Sequence, residues 1–519
     1  MKLRRFVAVL MMFTSLAVGW AFRVCPAVCA SDWPMWCGHP TRNKVSSETG
    51  LPSVFGPKSG EYYFTGCDTV NLRWVAKLGS HAYGSPVVFG GKVFVGTENC
   101  RYDSRRKVHG GAMLCFDAQT GQFLWQLVIP QLPPNDKVYN LANYCYGVTS
   151  TPAVEGNRLY FMSSRDELLC LDIQGQAKGN DGPFKDEMRY MSDRKNPLVP
   201  LCSTDADIIW RLDMIKDRDV GACPTDSPSS SVLIMGNYLY VSPSNGVEIS
   251  KPHIPNQNAP SLVVVDKRTG RVVAREQTRS ATRVFHGEWS SASTGRIGGR
   301  NLIFYGTGDG NCYAFDAIPT PPAKGQRIGT IKTVWRFDVN AAAGRIGKYR
   351  AQTGPSEIIA TPVFYKGRIY VGTGQDPTHG PGHGALVCID PTKTGDITKT
   401  GMAWLFKDIA RSISTVAIAD DLVYAADNWG SVYCLDSNTG KLYWKHETKQ
   451  RICSSPVVAD GKVYLCTDSG DVWVFATGKT AKVLGVNHLG SGIEATPAVA
   501  NGTIYIAAQG RLFAVGTRK

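Results

Sequence analysis

The sequence has no CxxC pair and no CxxCH haem-attachment motif, which removes thioredoxin-type redox chemistry and c-type cytochromes from consideration. It has no apolar run long enough to cross a bilayer. The longest, Phe6–Trp20, covers 15 residues and sits behind Lys2, Arg4 and Arg5, ahead of small residues at Val28 and Ala30. That is the pattern of a secretory signal, with cleavage expected after Ala30. A lipobox and most of a twin-arginine motif are missing, so a soluble exported chain, periplasmic or secreted, is the expectation. Blocks of like charge are missing too: the densest basic run, Arg101 to Lys107, is broken by Asp103. Removing residues 1–30 takes away Lys2, Arg4, Arg5 and Arg23 and lowers the formal charge from +14 to +10, a scattered excess that excludes a nucleic-acid groove.

Cysteine is present, but not as a framework. Of the 15 cysteines, Cys115, Cys170, Cys388 and Cys434 each stand two residues before an aspartate, in LCFD, LCLD, VCID and YCLD. One repeat position recurs, and a small buried strand residue explains it better than pairing or metal ligation. Cys202 with Cys223 is the one disulfide candidate.

The dominant feature is an internal repeat. Its first half is a pair of strands around a tight turn, as in SSPVVADGKVY, with variants SPVVFGGKVF, TPAVEGNRLY, TPVFYKGRIY, TVAIADDLVY and TPAVANGTIY and degraded copies SVLIMGNYLY and SASTGRIGGRNLIF. The closing aromatics, Phe94, Tyr160, Tyr240, Phe304, Tyr370, Tyr424, Tyr464 and Tyr505, number eight. The second half reads Asp-x-x-Thr-Gly and then Trp, as at Asp117, Thr120, Gly121, Trp125 and at Asp436, Thr439, Gly440, Trp444. Asp and Thr cap the turn and Gly takes its positive φ. The bare repeat is about 40 residues, the size of one propeller blade. Blade eight ends without a Trp strand, whereas Asn71–Val75 at the other end has Trp74 and no blade of its own, so the two ends should complete each other. The expected fold is all-β: an eight-bladed β-propeller over 71–519, closed by exchange of N- and C-terminal strands. A 31–70 extension precedes it, and a polar insertion at 174–228 carries a short helix expected at Trp210–Lys216.

The pattern AxDxxTGxxxW through eight blades resembles the PQQ-like repeat superfamily, which includes quinoprotein alcohol dehydrogenases and the BamB lipoprotein of outer-membrane assembly. Trp33-Pro34-Met35-Trp36, Asn43, GQDPTHG and CIDPTKTGD are similar to an exported branch abundant in planctomycete-type bacteria. The resemblance implies two alternatives. One is a non-catalytic, BamB-like binding scaffold for a protein or other cell-envelope ligand. The other is a dehydrogenase of the polyvinyl-alcohol type using pyrroloquinoline quinone (PQQ) and Ca²⁺.

For the dehydrogenase, SPSNG (242–246) is similar to the family's GxGN, so Asn245 would ligate Ca²⁺, with Glu248, His286 and Trp289 beside the cofactor. HGEWS (286–290) is similar to HDxWD, but Gly287 and Ser290 stand at both Asp positions and only Glu288 offers a carboxylate as base. Independently of the resemblance, Asp376, His379 and His383 lie within eight residues of a glycine-rich loop and are a candidate divalent-metal set. Loops leaving equivalent strands emerge on one propeller face, so all these residues are expected at one funnel mouth.

Overall fold

The computed structural model describes residues 32–57, 69–99, 106, 108–132, 146–193, 197–247, 254 and 256–517. The segment read as a leader and Glu248 lie outside them. Eight antiparallel sheets are arranged as an eight-bladed propeller. Their innermost strands are Val87–Phe89, Ala153–Glu155, Leu233–Met235, Ser293–Ile297, Val363–Tyr365, Ala417–Ala419, Val457–Ala459 and Ala498–Ala500. The helices among the described residues are short, Val339–Ala343 being the longest α-helix at five residues.

The ring closes by strand exchange. Leu72–Lys77 pairs antiparallel with Arg511–Val515 and becomes the outer strand of blade 8, with Trp74 opposite Ala514. Blade 8 thus has its Trp strand from the start of the chain, and neither terminal edge is left open.

The repeat residues have a common physical cause. On six of the eight outer strands a bulge sets a Trp opposite a small residue of the strand within; among them, Cys115 faces Trp125, Cys170 faces Trp210, Cys388 faces Trp404 and Cys434 faces Trp444. Side chains directly opposite share a sheet face, so a small buried residue there leaves room for the indole. All four cysteines are buried and unpaired, as the repeat position implied. The indole then reaches the next blade. Trp125 Nε1 donates to Ile173 O at 2.9 Å, Trp210 Nε1 to Lys267 O at 3.2 Å and Trp404 Nε1 to Ser437 O at 2.8 Å. The closing tyrosines Tyr160 and Tyr370 donate to the same carbonyls as the last two. The turn glycine has a second duty beyond its positive φ. A Cβ on Gly440 would stand 2.7 Å from the Trp404 ring, and one on Gly270 2.5 Å from Trp210, so the glycine is the floor on which the neighbouring Trp lies.

Two expectations are corrected. Cys202 and Cys223 are not joined to each other by a disulfide. The Cys202 thiol lies 3.2 Å from the Thr204 hydroxyl and the Cys223 thiol donates to Gly221 O, so each is held by its own turn. The helix expected at Trp210–Lys216 is instead the strand Asp207–Asp213, because Trp210 is the outer-strand Trp of blade 2. The stretch read as insertion therefore contains the blade's own fourth strand.

The 31–70 extension carries no repeat, yet it touches every blade. Trp33 pairs with Val88 of blade 1, and Pro34 O accepts from Val154 N of blade 2. Arg42 donates to Val232 O of blade 3 and Ala292 O of blade 4, and Thr41 O accepts from Phe364 N of blade 5. Asn43 exchanges two bonds with Ile418 of blade 6, Val45–Ser46 pairs parallel with blade 7, and Glu48 accepts from Asn501 N and Gly502 N of blade 8. The backbone groups of the inner strands that face the propeller axis are satisfied by this segment, which stoppers one end of the central channel.

Candidate functional site

The other end of the channel is an open funnel of about 360 Å³. Its collar is built by the residue two places before each inner strand: Ser85, Thr151, Ser231, Ser291, Thr361, Thr415, Ser455 and Thr496, all nearly buried. In seven of the eight steps the backbone N–H of one donates to the hydroxyl of the next blade's residue, at 2.8–3.1 Å, and Thr496 N returns to Ser85 Oγ to complete the circle. At the remaining step the Thr361 hydroxyl accepts from Trp36 Nε1, at 3.0 Å. Trp36 is the residue of the stopper that lines the funnel and forms its floor. Above the collar, Tyr83, Tyr146 and Trp289 give aromatic walls, and Asp226, Asp376, Glu494 and Arg451 give charge. Burial raises the Glu494 carboxyl above its usual range.

Of the residues that the dehydrogenase resemblance singled out, Trp289 lines this space, whereas Asn245 and Glu288 do not. Asn245 is fully buried. Its Oδ1 accepts from Cys223 N at 3.0 Å and its Nδ2 donates to Pro260 O at 2.7 Å, fixing a loop. Glu288 is buried beside Ser261 and Asn245, without a well-formed hydrogen bond to its carboxyl, and burial pushes that carboxyl up to about 8. At neutral pH it is mainly protonated, unlike a general base. Ser290 Oγ donates to Ala360 O and ties blade 4 to blade 5. At Gly287 a Cβ would meet the Trp289 ring at 2.4 Å: the indole lies over the very place where the family motif carries its Asp. The residues present therefore do not fit the PQQ and Ca²⁺ arrangement that this motif implies.

His286, Asp376 and His379 do meet, but not as one set with His383, which is exposed. His379 is engaged on both nitrogens. Arg350 can only donate, so His379 Nε2 accepts from it at 2.6 Å and Nδ1–H points at the Tyr349 hydroxyl at 3.1 Å. Tyr349 in turn donates to Glu357 Oε1 at 2.6 Å. Burial and then the Arg350 charge lower the His379 ring to about 4, and burial lifts Glu357 to about 8. Asp376 lies instead with Asp226 and His286, the three offering ligand atoms within 4.8 Å of one another. Asp226, Tyr349 and Glu357 carried no motif or period, and only the fold brings them here.

The Glu357 burial has a measurable sign. Its folded carboxyl titrates near 8 against 4.5 when free, so folding disfavours its charge. The contribution of this group to stability is intact below pH 4.5 and falls as pH rises to 8. Glu357→Gln is expected to remove that decline, gaining on the order of 1–3 kcal/mol over the parent between pH 5 and 8. Denaturant unfolding of both proteins across that range checks it, and parallel curves would refute the assignment.

A family model described as outer membrane protein assembly factor BamB matches residues 54–181 and 397–519. BamB from Moraxella catarrhalis, 13% identical, aligns with TM-score 0.50 over 86% of this chain and 97% of its own. A europium-containing methanol dehydrogenase, 14% identical, aligns with TM-score 0.54 over 92% and 90%. Identities this low speak to fold alone. No curated protein matches the chain significantly. Eight blades, six of them with an outer-strand Trp, ends that complete each other and a family match at both ends of the sequence support placing the chain among the PQQ-like repeat β-propellers.

Proposed function

We propose that the protein is a binding scaffold of the cell envelope, exported by the leader read in its first 30 residues, and that its funnel takes a ligand without turning it over. The observation that carries this reading is Trp289 lying over Gly287. Of the motif's two Asp positions, Gly287 has neither a side chain nor room for one, and Ser290 carries a hydroxyl bonded to Ala360 O, so neither offers the carboxylate that would abstract an alcohol proton. What remains is a stoppered pocket with a hydroxyl collar, aromatic walls and a few charges, features that suit recognition of a polar group on a protein or envelope ligand. The likeness to BamB agrees with a protein partner. The protein incubated with PQQ and Ca²⁺ is expected to elute from gel filtration without quinone absorbance and to show no dye-linked oxidation of alcohols. Turnover that disappears in Asn245→Ala or Glu288→Ala would overturn the scaffold reading and establish the dehydrogenase.

A further inference from the structure

Asp226 comes from the crossover between blades 2 and 3, His286 from that between blades 3 and 4, and Asp376 from the loop after the second strand of blade 5. Three segments far apart in sequence thus bring one imidazole and two carboxylates together. We propose that Asp226, His286 and Asp376 form a binding site for a divalent first-row transition ion of the zinc type, at the funnel wall, with its open coordination positions facing the cavity.

Four observations converge on the site. The first is spacing. His286 Nε2 lies 3.4 Å from Asp226 Oδ2. Donors on adjacent corners of a tetrahedron with bonds of ~2.1 Å are separated by about 3.4 Å, so this pair already has the separation of two ligands on one ion. The second is that this contact is not a well-formed hydrogen bond. The His286 side chain is 8% exposed, its Nδ1 is buried without a partner, and its ring neighbours are Trp289 and His379, each at 5.0 Å. An imidazole so placed, with its Nε2 among carboxylates, can serve as a metal ligand.

The third is support. Asp376 Oδ1 accepts from Thr378 N and Thr378 Oγ1, which fixes the carboxylate and leaves the other oxygen available. The His286 backbone is pinned by Val247 N donating to its carbonyl, at 2.7 Å. Ligands held by their own loops lose little freedom on binding. The fourth is access: Asp226 and Asp376 both line the funnel. The neighbouring cation, Arg350, is turned to His379 Nε2. Two carboxylates balance a doubly charged ion, and the imidazole favours zinc-type ions over Ca²⁺ or Mg²⁺, which prefer oxygen ligands throughout.

The site differs from the Asp376, His379 and His383 set read from the loop alone, and that difference makes it testable. The full-length protein, freed of metal by chelator, is titrated with Zn²⁺ in a calorimeter, and bound metal is counted by elemental analysis. One equivalent is expected in the parent and in His383→Ala, with affinity weakened at least ~10-fold in Asp226→Asn, Asp376→Asn and His286→Gln. Circular dichroism melts establish that each variant is folded. If His286→Gln fails to fold, the two isosteric Asp→Asn variants decide. Absence of stoichiometric Zn²⁺ in the parent overturns the proposal, as does binding unchanged in both Asp→Asn variants, or binding lost in His383→Ala while Asp226→Asn retains it. None of these readouts depends on turnover, so the scaffold reading stands or falls separately.

Discussion

Proline at both Val75 and Ala76 is expected to destabilise the whole ring, not just the strand that carries them. Leu72–Lys77 is an outer strand with one partner, Arg511–Val515, so N–H groups along it alternate between facing that partner and facing away. Two consecutive prolines must remove one donor from the ladder, whichever phase the strand adopts. The strand also carries Trp74, whose Nε1 donates to Ala118 O of blade 1, at 3.0 Å, and whose ring lies 2.6 Å from where a Cβ on Gly121 would stand. Loosening the strand therefore opens the blade 8 sheet and the blade 8 to blade 1 seam together. A loss on the order of 3–5 kcal/mol is expected, a large part of the margin of an ordinary fold. Hydrogen exchange gives the sharper readout. Amides of Arg511–Val515 should lose protection in the double variant, while those of Ser293–Ile297 and Arg300–Gly306, half a ring away, should keep theirs below the melting range. Unchanged protection of Arg511–Val515 with a parental melt would mean that strand exchange does not hold the ring shut.

The periodic part of this architecture was legible because a repeated unit exposes its own logic. Eight closing aromatics gave eight blades, and the unmatched Trp74 gave the closure. Even there, spacing revealed a role but not its reason. The Gly of each Asp-x-x-Thr-Gly turn was read for its positive φ, yet Gly121, Gly270 and Gly440 also lie beneath the Trp of the preceding blade, a tertiary contact with no local signature. The site was less legible. His286 and Asp376 were singled out, but from different motifs, and Asp226 stood in an undistinguished polar loop until two crossovers and a blade 5 loop met at the funnel. Asn245 matched a motif by residue type, and Glu288 was the one carboxylate beside it, but Asn245 anchors a loop and Glu288 is buried away from the funnel. A motif reports which atoms are available, and the direction they point is a property of the blades around them.

The extension was the least legible segment, and Arg42 within it is expected to be among the most sensitive residues of the chain. Arg42 is fully buried, and among the described residues no carboxylate pairs with it. Its guanidinium donates to three backbone carbonyls: Nε to Ala292 O at 2.8 Å, NH1 to Trp36 O at 2.8 Å and NH2 to Val232 O at 3.1 Å. Two of these immediately precede the inner strands of adjacent blades and the third belongs to the stopper, so one side chain fastens blade 3, blade 4 and the funnel floor. The planar fork of Arg suits three divergent acceptors, which an ammonium on a flexible stem serves less well. Arg42→Ala would leave three carbonyls without a partner and open a cavity, with an expected loss of about 3–5 kcal/mol. Arg42→Lys should fall between Ala and the parent. Burial lowers the guanidinium to about 10. The protonated form is therefore the disfavoured one in the fold, its cost is full at every pH below 10, and it eases only as pH rises above 10. Across pH 6–9 the deficit of Arg42→Ala should accordingly stay constant, which separates it from the sloping effect of Glu357→Gln. Glu48→Ala, at the less buried end of the same segment, should cost about 1 kcal/mol or less. Denaturant unfolding of the three variants checks the order, and the funnel floor has its own reporter, since quenching of Trp36 by acrylamide should rise in Arg42→Ala after subtraction of a Trp36→Phe background. An Arg42→Ala protein as stable as Glu48→Ala, with Trp36 still shielded, would show that the stopper is held by its backbone pairing alone.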